Sequence, residues 1–141
     1  MTETNHTAVV TASGEGRDSG RAASSDGLLG LPLAVPKECG GDGRAADPEQ
    51  LLAAGSSTCF LGAEKITAAQ RKVRVRDLAV VAEAALRHRH AQGDYALSAV
   101  LHPEFGGVGR KAAAGLGAGA HQIRPCSTAP AVPVTVPATV A

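Results

Sequence analysis

Aromatic side chains are scarce in this 141-residue chain, which contains no Trp, one Tyr and two Phe. Apolar residues make up 44% of the sequence, but they are mostly the small Ala and Val. A chain of this length suits one domain, which we place at 1–141. Because so few large side chains are available for a core, we expect further burial against a second copy of the chain.

The chain also lacks an excess of charge and a long apolar run. Its net charge is +1, so the basic surface typical of proteins that bind nucleic acid or membranes is missing. No apolar run approaches the roughly 20 residues that a spanning helix needs. The start, MTETNHTAVV, has neither the basic region nor the apolar stretch of a signal peptide. These absences favour the cytoplasm and exclude nucleic acid and membranes as partners.

Cysteine is rare, and its spacing fits no zinc motif. The three cysteines, Cys39, Cys59 and Cys126, are far apart in the sequence. In the cytoplasm stable disulfides are uncommon, so catalytic or redox roles come first. GVGRKA at 107–112 matches a dinucleotide motif without the βαβ unit that such a motif needs, so we expect no cofactor.

Three histidines are weighed as a metal site. His88 and His90 alternate on a predicted strand and share a face, and His102 lies on the next strand. Solvated histidines are the preferred interpretation over a metal centre.

Turn residues and alternating apolar residues predict the order of elements. Strands or extended segments are expected at 6–13, 21–26, 28–35, 78–89 and 95–102, a second helix at 106–123, and a final strand in the tail APAVPVTVPATVA. Pro32 and the three tail prolines indicate edge positions. Gly115, Gly117 and Gly119 weaken the second helix by up to about 1 kcal/mol each. The fold class is α+β.

The strongest local signal is the stretch DPEQLLAAGSSTCFLGAEKI at 47–66. Asp47 suits the N-cap, Pro48 the first helical position, and Gln50 completes a capping box. The helix is expected to run to about Gln70. Cys59 lies on it about three turns from the start, where the helix dipole has little effect.

A free cysteine on an apolar helix is usually a packing residue. To act as a nucleophile, Cys59 needs a cation nearby. Glu49 precedes it by ten residues, which is about 15 Å along a helix axis, so the two cannot touch within the helix. A carboxylate at the helix start could hold an arginine that reaches the thiolate, and Arg17 in the turn GEGRDSG is a weak candidate.

The order GEGRD, SSDGLLGLPLAVPKECGGDG, DPEQLLAAGSSTCFLGA and AHQI-x-P resembles the organic hydroperoxide resistance (Ohr/OsmC) family. The resemblance extends to about Pro125, and its most specific part is PEQL-x-AAG-x-x-x-CF. It implies an OsmC-like α+β fold, with antiparallel sheets around a central long helix in an intertwined homodimer. It also implies a peroxidase that reduces organic hydroperoxides and is recharged by dihydrolipoyl groups or another thiol reductant.

The resemblance implies a role for each candidate residue. Cys59 is the peroxidatic thiol, Arg17 activates it, and Glu49 orients Arg17. The family's second cysteine position holds Arg124 here, and Cys126 follows two residues later. That displacement is about 3 Å if the chain is helical and about 7 Å if it is extended. Whether Cys126 reaches Cys59 stays open, since a disulfide tolerates Cα separations up to about 7 Å. The alternative function is a redox sensor or a catalytically decayed paralogue that keeps the dimer.

Overall fold

The computed structural model describes residues 5–15, 19–89, 91–123 and 134–135. The chain forms two compact units, residues 1–51 and 52–141, and each is described by itself. The single domain expected from the length therefore stays a prediction.

The first unit contains a three-stranded antiparallel sheet. Its strands are β1 (Val10–Ser13), β2 (Arg21–Ser24) and β3 (Gly30–Pro32), in the order β1-β2-β3. Pro32 lies on an edge strand, as predicted, opposite Arg21. All three strands are shorter than the predicted segments. Between β2 and β3 the Asp26 carboxylate accepts hydrogen bonds from Ser24 Oγ (2.6 Å) and the Leu28 N–H (3.0 Å), which ends β2 in a turn.

A Gly-rich loop follows β3, as predicted. It contains a short 3-10 helix at Lys37–Cys39, after which Gly40 takes a positive φ of 88°. Gly41 passes so close to Val35 that a Cβ there would lie 1.9 Å from the Val35 carbonyl oxygen. Only glycine fits that approach, which returns the chain so that Leu33 and Ala46 form a parallel bridge.

Helix α1 (Pro48–Gln70) has the predicted bounds. The capping box is confirmed: the Gln50 N–H donates to Asp47 Oδ1 (2.8 Å), and the Asp47 N–H donates to Gln50 Oε1 (3.1 Å). The helix ends in a Schellman motif. Lys72 takes φ 55°, its N–H donates to the Ala69 carbonyl, and the Val73 N–H donates to the Ala68 carbonyl.

The second unit contains a long hairpin of β4 (Arg76–Arg89) and β5 (Asp94–Gly106). Both predicted strands are confirmed, and β5 continues through Pro103, which lies opposite Val80. A short strand β6 (Val134–Thr135) pairs with β5 in parallel. The predicted antiparallel pairing is confirmed for β4 and β5, while β6 adds a parallel pair, and the order of this sheet is β4-β5-β6. The rest of the predicted tail strand lies outside the described residues.

Helix α2 (Arg110–Ile123) begins later than predicted, because Gly107 has a positive φ of 81° that is incompatible with a helix. Gly119 is required by packing. A Cβ at Gly119 would lie 2.8 Å from Thr67 Cγ2 and 3.0 Å from Arg71 Nη2, both on or next to α1. The glycine that weakens α2 as a helix therefore lets α2 approach α1 closely.

The core of the second unit lies where α1, α2 and the hairpin pack together. One cluster joins Phe60 and Ala63 of α1 with Leu101 and Ala120. A second cluster joins Ala68 with Phe105, Ala113 and Leu116. The predicted α+β class is confirmed, while the central place of the long helix and the homodimer stay predictions.

Candidate functional site

Cys59 lies in the middle of α1 and is a half-buried free thiol. Its neighbour Phe60 is completely buried and anchors this turn in the core. Successive helical residues point about 100° apart, so the side chain of Cys59 lies at the margin of the buried face. In this position a thiol is partly shielded from water and still reachable by a small reagent.

Two glycines flank Cys59 on its own face of the helix. Gly55 and Gly62 precede and follow it by one turn, so they lie on the same side of α1. A Cβ built at either glycine meets no atom within 4 Å. We call this region, Gly55 and Gly62 with Cys59 between them, the open face of α1. It leaves room next to the sulfur that larger side chains would fill.

The hydroxyls before Cys59 are engaged by the helix backbone. Ser57 Oγ donates to the Ala54 carbonyl (3.2 Å), and Thr58 Oγ1 donates to the same oxygen. Such bonds to the preceding turn satisfy these side chains locally. The polar residues adjacent to the thiol are therefore occupied by the helix backbone and leave Cys59 as the reactive group of this turn.

The structure describes two of the four predicted site residues. Glu49 is half-buried in the first turn of α1, and ten residues of helical rise separate it from Cys59 by about 15 Å. A direct contact between the two is therefore excluded, in agreement with the sequence argument. Arg17 and Cys126 lie outside the described residues, and so does Arg124. The geometry that joins Cys59, Arg17 and Glu49 remains a prediction.

Cys39 differs from Cys59 in its surroundings. It ends the short 3-10 helix of the Gly-rich loop and is exposed. It has neither a helix of useful length nor a buried neighbour to shape a site, since that 3-10 helix contains no buried residue. Cys39 therefore serves as an internal control for thiol reactivity.

A buried carboxyl in α1 was missed by the sequence argument. Glu64 is 0% exposed, and neither of its oxygens has a hydrogen-bond partner in the described structure. Burial raises the pKa of Glu64 from 4.5 to about 8. The available signal was its spacing, because Glu64 follows Phe60 by four residues and precedes Ala68 by four, on the apolar stripe of the helix.

Of the histidines weighed as a metal site, the two that the structure describes, His88 and His102, do not come together. His88 stacks on Tyr95 with ring centroids 4.7 Å apart, whereas His102 Nε2 lies 2.7 Å from Glu83 Oε2. The strand register places His88 opposite Tyr95 and His102 opposite Val81, on different faces of the hairpin. His90 is outside the described residues, and among those described no cluster of three potential ligands is present.

A cavity of about 720 Å³ lies beside the start of α2. Its lining contains none of the predicted site residues and includes the exposed cations Arg71, Arg110 and Lys111. Exposed cations of this kind are ordinarily solvated. Within the described part of the chain, no helix is long and apolar enough to cross a membrane.

Comparisons with known proteins agree on one group of relatives. No protein-family model matches the chain. It is 41% identical over 124 residues to an uncharacterized protein of Acinetobacter baylyi, covering 88% of this chain and 85% of that one. It is 34% identical over 131 residues to organic hydroperoxide resistance protein OhrA of Bacillus subtilis, covering 92% of this chain and 91% of the relative.

The solved structures extend this agreement to the fold. The crystal structure of an organic hydroperoxide resistance protein from Legionella pneumophila superposes with a TM-score of 0.86 and 34% identity. The match covers 99% of both chains. Similarity therefore extends over both compact units and includes the helix that carries Cys59.

Proposed function

Because the chain belongs to the organic hydroperoxide resistance (Ohr/OsmC) family, we propose that it is a cysteine-dependent peroxidase that reduces organic hydroperoxides to alcohols. The observation that carries the proposal is the open face of α1. A half-buried free thiol stands there between two glycines whose missing side chains leave space for a substrate.

The first step is a nucleophilic displacement on the peroxide. The Cys59 thiolate attacks the terminal oxygen of ROOH, an S–O bond forms and the O–O bond breaks. The departing alkoxide takes up a proton and leaves as the alcohol, while Cys59 becomes a sulfenic acid. The sulfur is oxidised and the peroxide reduced by two electrons, so no metal or cofactor is needed for this step.

A cation is required because the thiolate is the nucleophile. We assign this role to Arg17, whose guanidinium would stabilise both the thiolate and the charge that develops on the departing oxygen. Glu49 would hold Arg17 through a two-bond ion pair. The half-buried position of Glu49 in the first turn of α1 is compatible with that role.

The second half of the cycle returns Cys59 to the thiol. A reductant thiol condenses with the sulfenic acid and releases water, and a second thiol then reduces the mixed disulfide. A dithiol such as dihydrolipoamide supplies both sulfurs. In this chain an external thiol carries out most of the reduction of oxidised Cys59, because the position of the family's second cysteine holds Arg124 and Cys126 is displaced. The cycle needs a reducing compartment such as the cytoplasm.

We further propose that the functional unit is a homodimer. Ile66 of α1 and Val81 of β4 are 54% and 50% exposed, although both are large and apolar. Such side chains gain about 25 cal/mol per Å² when a partner covers them. Light scattering that gives twice the chain mass supports the dimer, and a monomer at micromolar concentration contradicts it.

The test of the proposed function is peroxide consumption by the purified chain. Cumene or tert-butyl hydroperoxide is supplied with dihydrolipoamide, and loss of peroxide is followed at fixed protein concentration. We expect turnover that exceeds the uncatalysed reaction by orders of magnitude. Absence of consumption by well-folded protein would reject the peroxidase and favour the alternative, a redox sensor or a decayed paralogue.

A further inference from the structure

Glu64 is one of the buried residues on the face of α1 that packs into the second unit's core. On α1 it lies between Ala63, which packs on Leu101 and Ala120, and Ala68, which packs on Phe105 and Leu116. Its carboxyl therefore faces the layer that α1 forms with β5 and α2. Glu64 is among the largest completely buried side chains, together with Phe60, Phe105, Leu101, Leu116 and Pro103.

The carboxyl has no hydrogen-bonding partner within the described residues. The nearest hydroxyl on the helix, Thr67 Oγ1, donates to the Ala63 carbonyl (2.9 Å) and is already engaged. An ionised carboxylate without partners in an apolar core costs several kcal/mol of solvation free energy. A neutral carboxylic acid avoids most of that cost, so the folded core favours the protonated form.

Among the described residues of the surrounding elements, one charged side chain lies near the face that Glu64 meets: the Arg71 guanidinium, which lies beside Gly119 of α2. On α1 itself Lys65 is exposed. Arg71 follows Glu64 by seven residues, on the same side of the helix; it is exposed and makes no hydrogen bond to the Glu64 carboxyl. On β5 the buried residues alternate with His102 and Glu104, which point to the opposite face.

The other two elements resemble β5 in this respect. On β4 the half-buried residues Leu78, Val80 and Ala82 face the core, while Glu83 points away and pairs with His102. On α2 the contacts to the core are apolar, and the half-buried His121 follows Ala120 by one residue.

We propose that Glu64 is an alkaline switch built into the fold: a core carboxylic acid that is neutral in the folded chain and loosens the α1–β5–α2 layer when it releases its proton to solvent. The geometry supports this through complete burial and two oxygens without hydrogen-bond partners among the described residues. The pKa, raised by burial to about 8, agrees with it. The inference stands independently of the proposed peroxidase activity.

The direction of the pH effect follows from the two states. The unfolded chain releases the Glu64 proton near its ordinary pKa of 4.5, whereas the folded chain keeps it until about 8. Between these values the unfolded state binds fewer protons, so stability falls as pH rises. The contribution is complete below pH 4.5 and is lost by about pH 8.

The test compares urea unfolding of the wild-type chain, Glu64→Gln and Glu104→Gln at one chain concentration from about pH 5 to 8. In the wild type, the unfolding equilibrium constant should rise about tenfold per pH unit through Glu64 alone. Glu64→Gln should lose this component, because glutamine does not titrate. Glu104→Gln, which removes an exposed carboxylate from β5, should keep it. Equal pH dependence of all three proteins would overturn the proposal.

A second measurement covers the case in which Glu64→Gln fails to fold. The infrared carbonyl band of a protonated carboxylic acid should be present in folded wild-type protein at neutral pH and disappear in alkali. Glu64→Leu, which fills the same core position with an apolar side chain, should lack that band. Absence of the band from the wild type at neutral pH would overturn the proposal.

Discussion

Two of the ionisable side chains on helix α1, Cys59 and Glu64, lie five residues apart in opposite surroundings. Cys59 stands on the open face between Gly55 and Gly62, where nothing lies within 4 Å of either missing side chain. Glu64 is completely enclosed between two apolar clusters. On the same helix, Cys59 is therefore accessible to small reagents, whereas Glu64 is buried and can exchange only a proton with solvent.

The comparison shows that two properties decide whether a side chain of α1 can react with a reagent from solvent. One is the face of the helix on which it lies, and the other is the size of the adjacent side chains. A thiol beside glycines can meet a peroxide, whereas a completely buried carboxyl can only change its protonation state. Phe60 connects the two regions, because its burial orients α1 so that Cys59 lies at the margin of the core.

The largest expected effect is the loss of activity when the thiol on the open face is removed. Cys59→Ser should abolish reduction of cumene hydroperoxide, because a serine hydroxyl is a far weaker nucleophile toward peroxide. Cys39→Ser is the matched control and should leave the rate nearly unchanged, since Cys39 is exposed on a loop. Equal losses in both variants would break the assignment of Cys59.

Removal of the proposed activating cation should have the next largest effect. Arg17→Ala should slow the first step by orders of magnitude, because a unit charge close to the thiolate contributes several kcal/mol. Arg17→Lys should recover only part of the rate, since lysine cannot present two parallel donors. Stopped-flow measurement of peroxide loss distinguishes the three proteins, and an unchanged rate in Arg17→Ala would exclude this role.

The products formed from oxidised Cys59 test whether its reduction requires an external thiol. After one equivalent of peroxide we expect slow or absent formation of a Cys59–Cys126 disulfide, and over-oxidation of Cys59 when no thiol is supplied. Mass spectrometry of the digested protein measures both products. Quantitative loss of two hydrogens, mapped to a Cys59–Cys126 peptide pair, would show that the chain resolves itself.

The smallest expected effects concern stability on the two sides of α1. Gly119→Ala places a methyl group against Thr67 and Arg71 and should lower the free energy of unfolding by about 1–3 kcal/mol. Gly62→Ala on the open face meets nothing and should raise it by up to about 1 kcal/mol. Urea unfolding of both variants is the measurement, and a loss in Gly62→Ala would show that the open face is covered.

The limits of α1 were predictable because its signals are local. The reciprocal hydrogen bonds of the capping box join Asp47 and Gln50, which are only three residues apart. A short stretch of sequence is therefore enough to predict them. The α+β class and the main hairpin were predictable for a similar reason, since strand alternation and turn residues are read within short windows.

Features that depend on distant contacts were not predictable from the same patterns. In the sequence, Gly119 lowers the predicted stability of α2. The structure explains why a glycine is present there: Thr67, more than fifty positions earlier, approaches it closely. The parallel pairing of β6 with β5 joins segments that are distant in the sequence, and no short sequence pattern indicates it. Glu64 resembles a surface glutamate in the sequence, and only packing shows that it is enclosed.

The most direct test of the account is to identify which sulfur an organic hydroperoxide oxidises first. Reduced wild-type protein is treated with a substoichiometric amount of cumene hydroperoxide in the presence of a sulfenic acid trap, and labelled peptides are quantified by mass spectrometry. The open face predicts that the trap is found on the Cys59 peptide and scarcely on that of Cys39. Labelling of Cys39 at an equal or greater rate, or no labelling of Cys59 in folded protein, would contradict it.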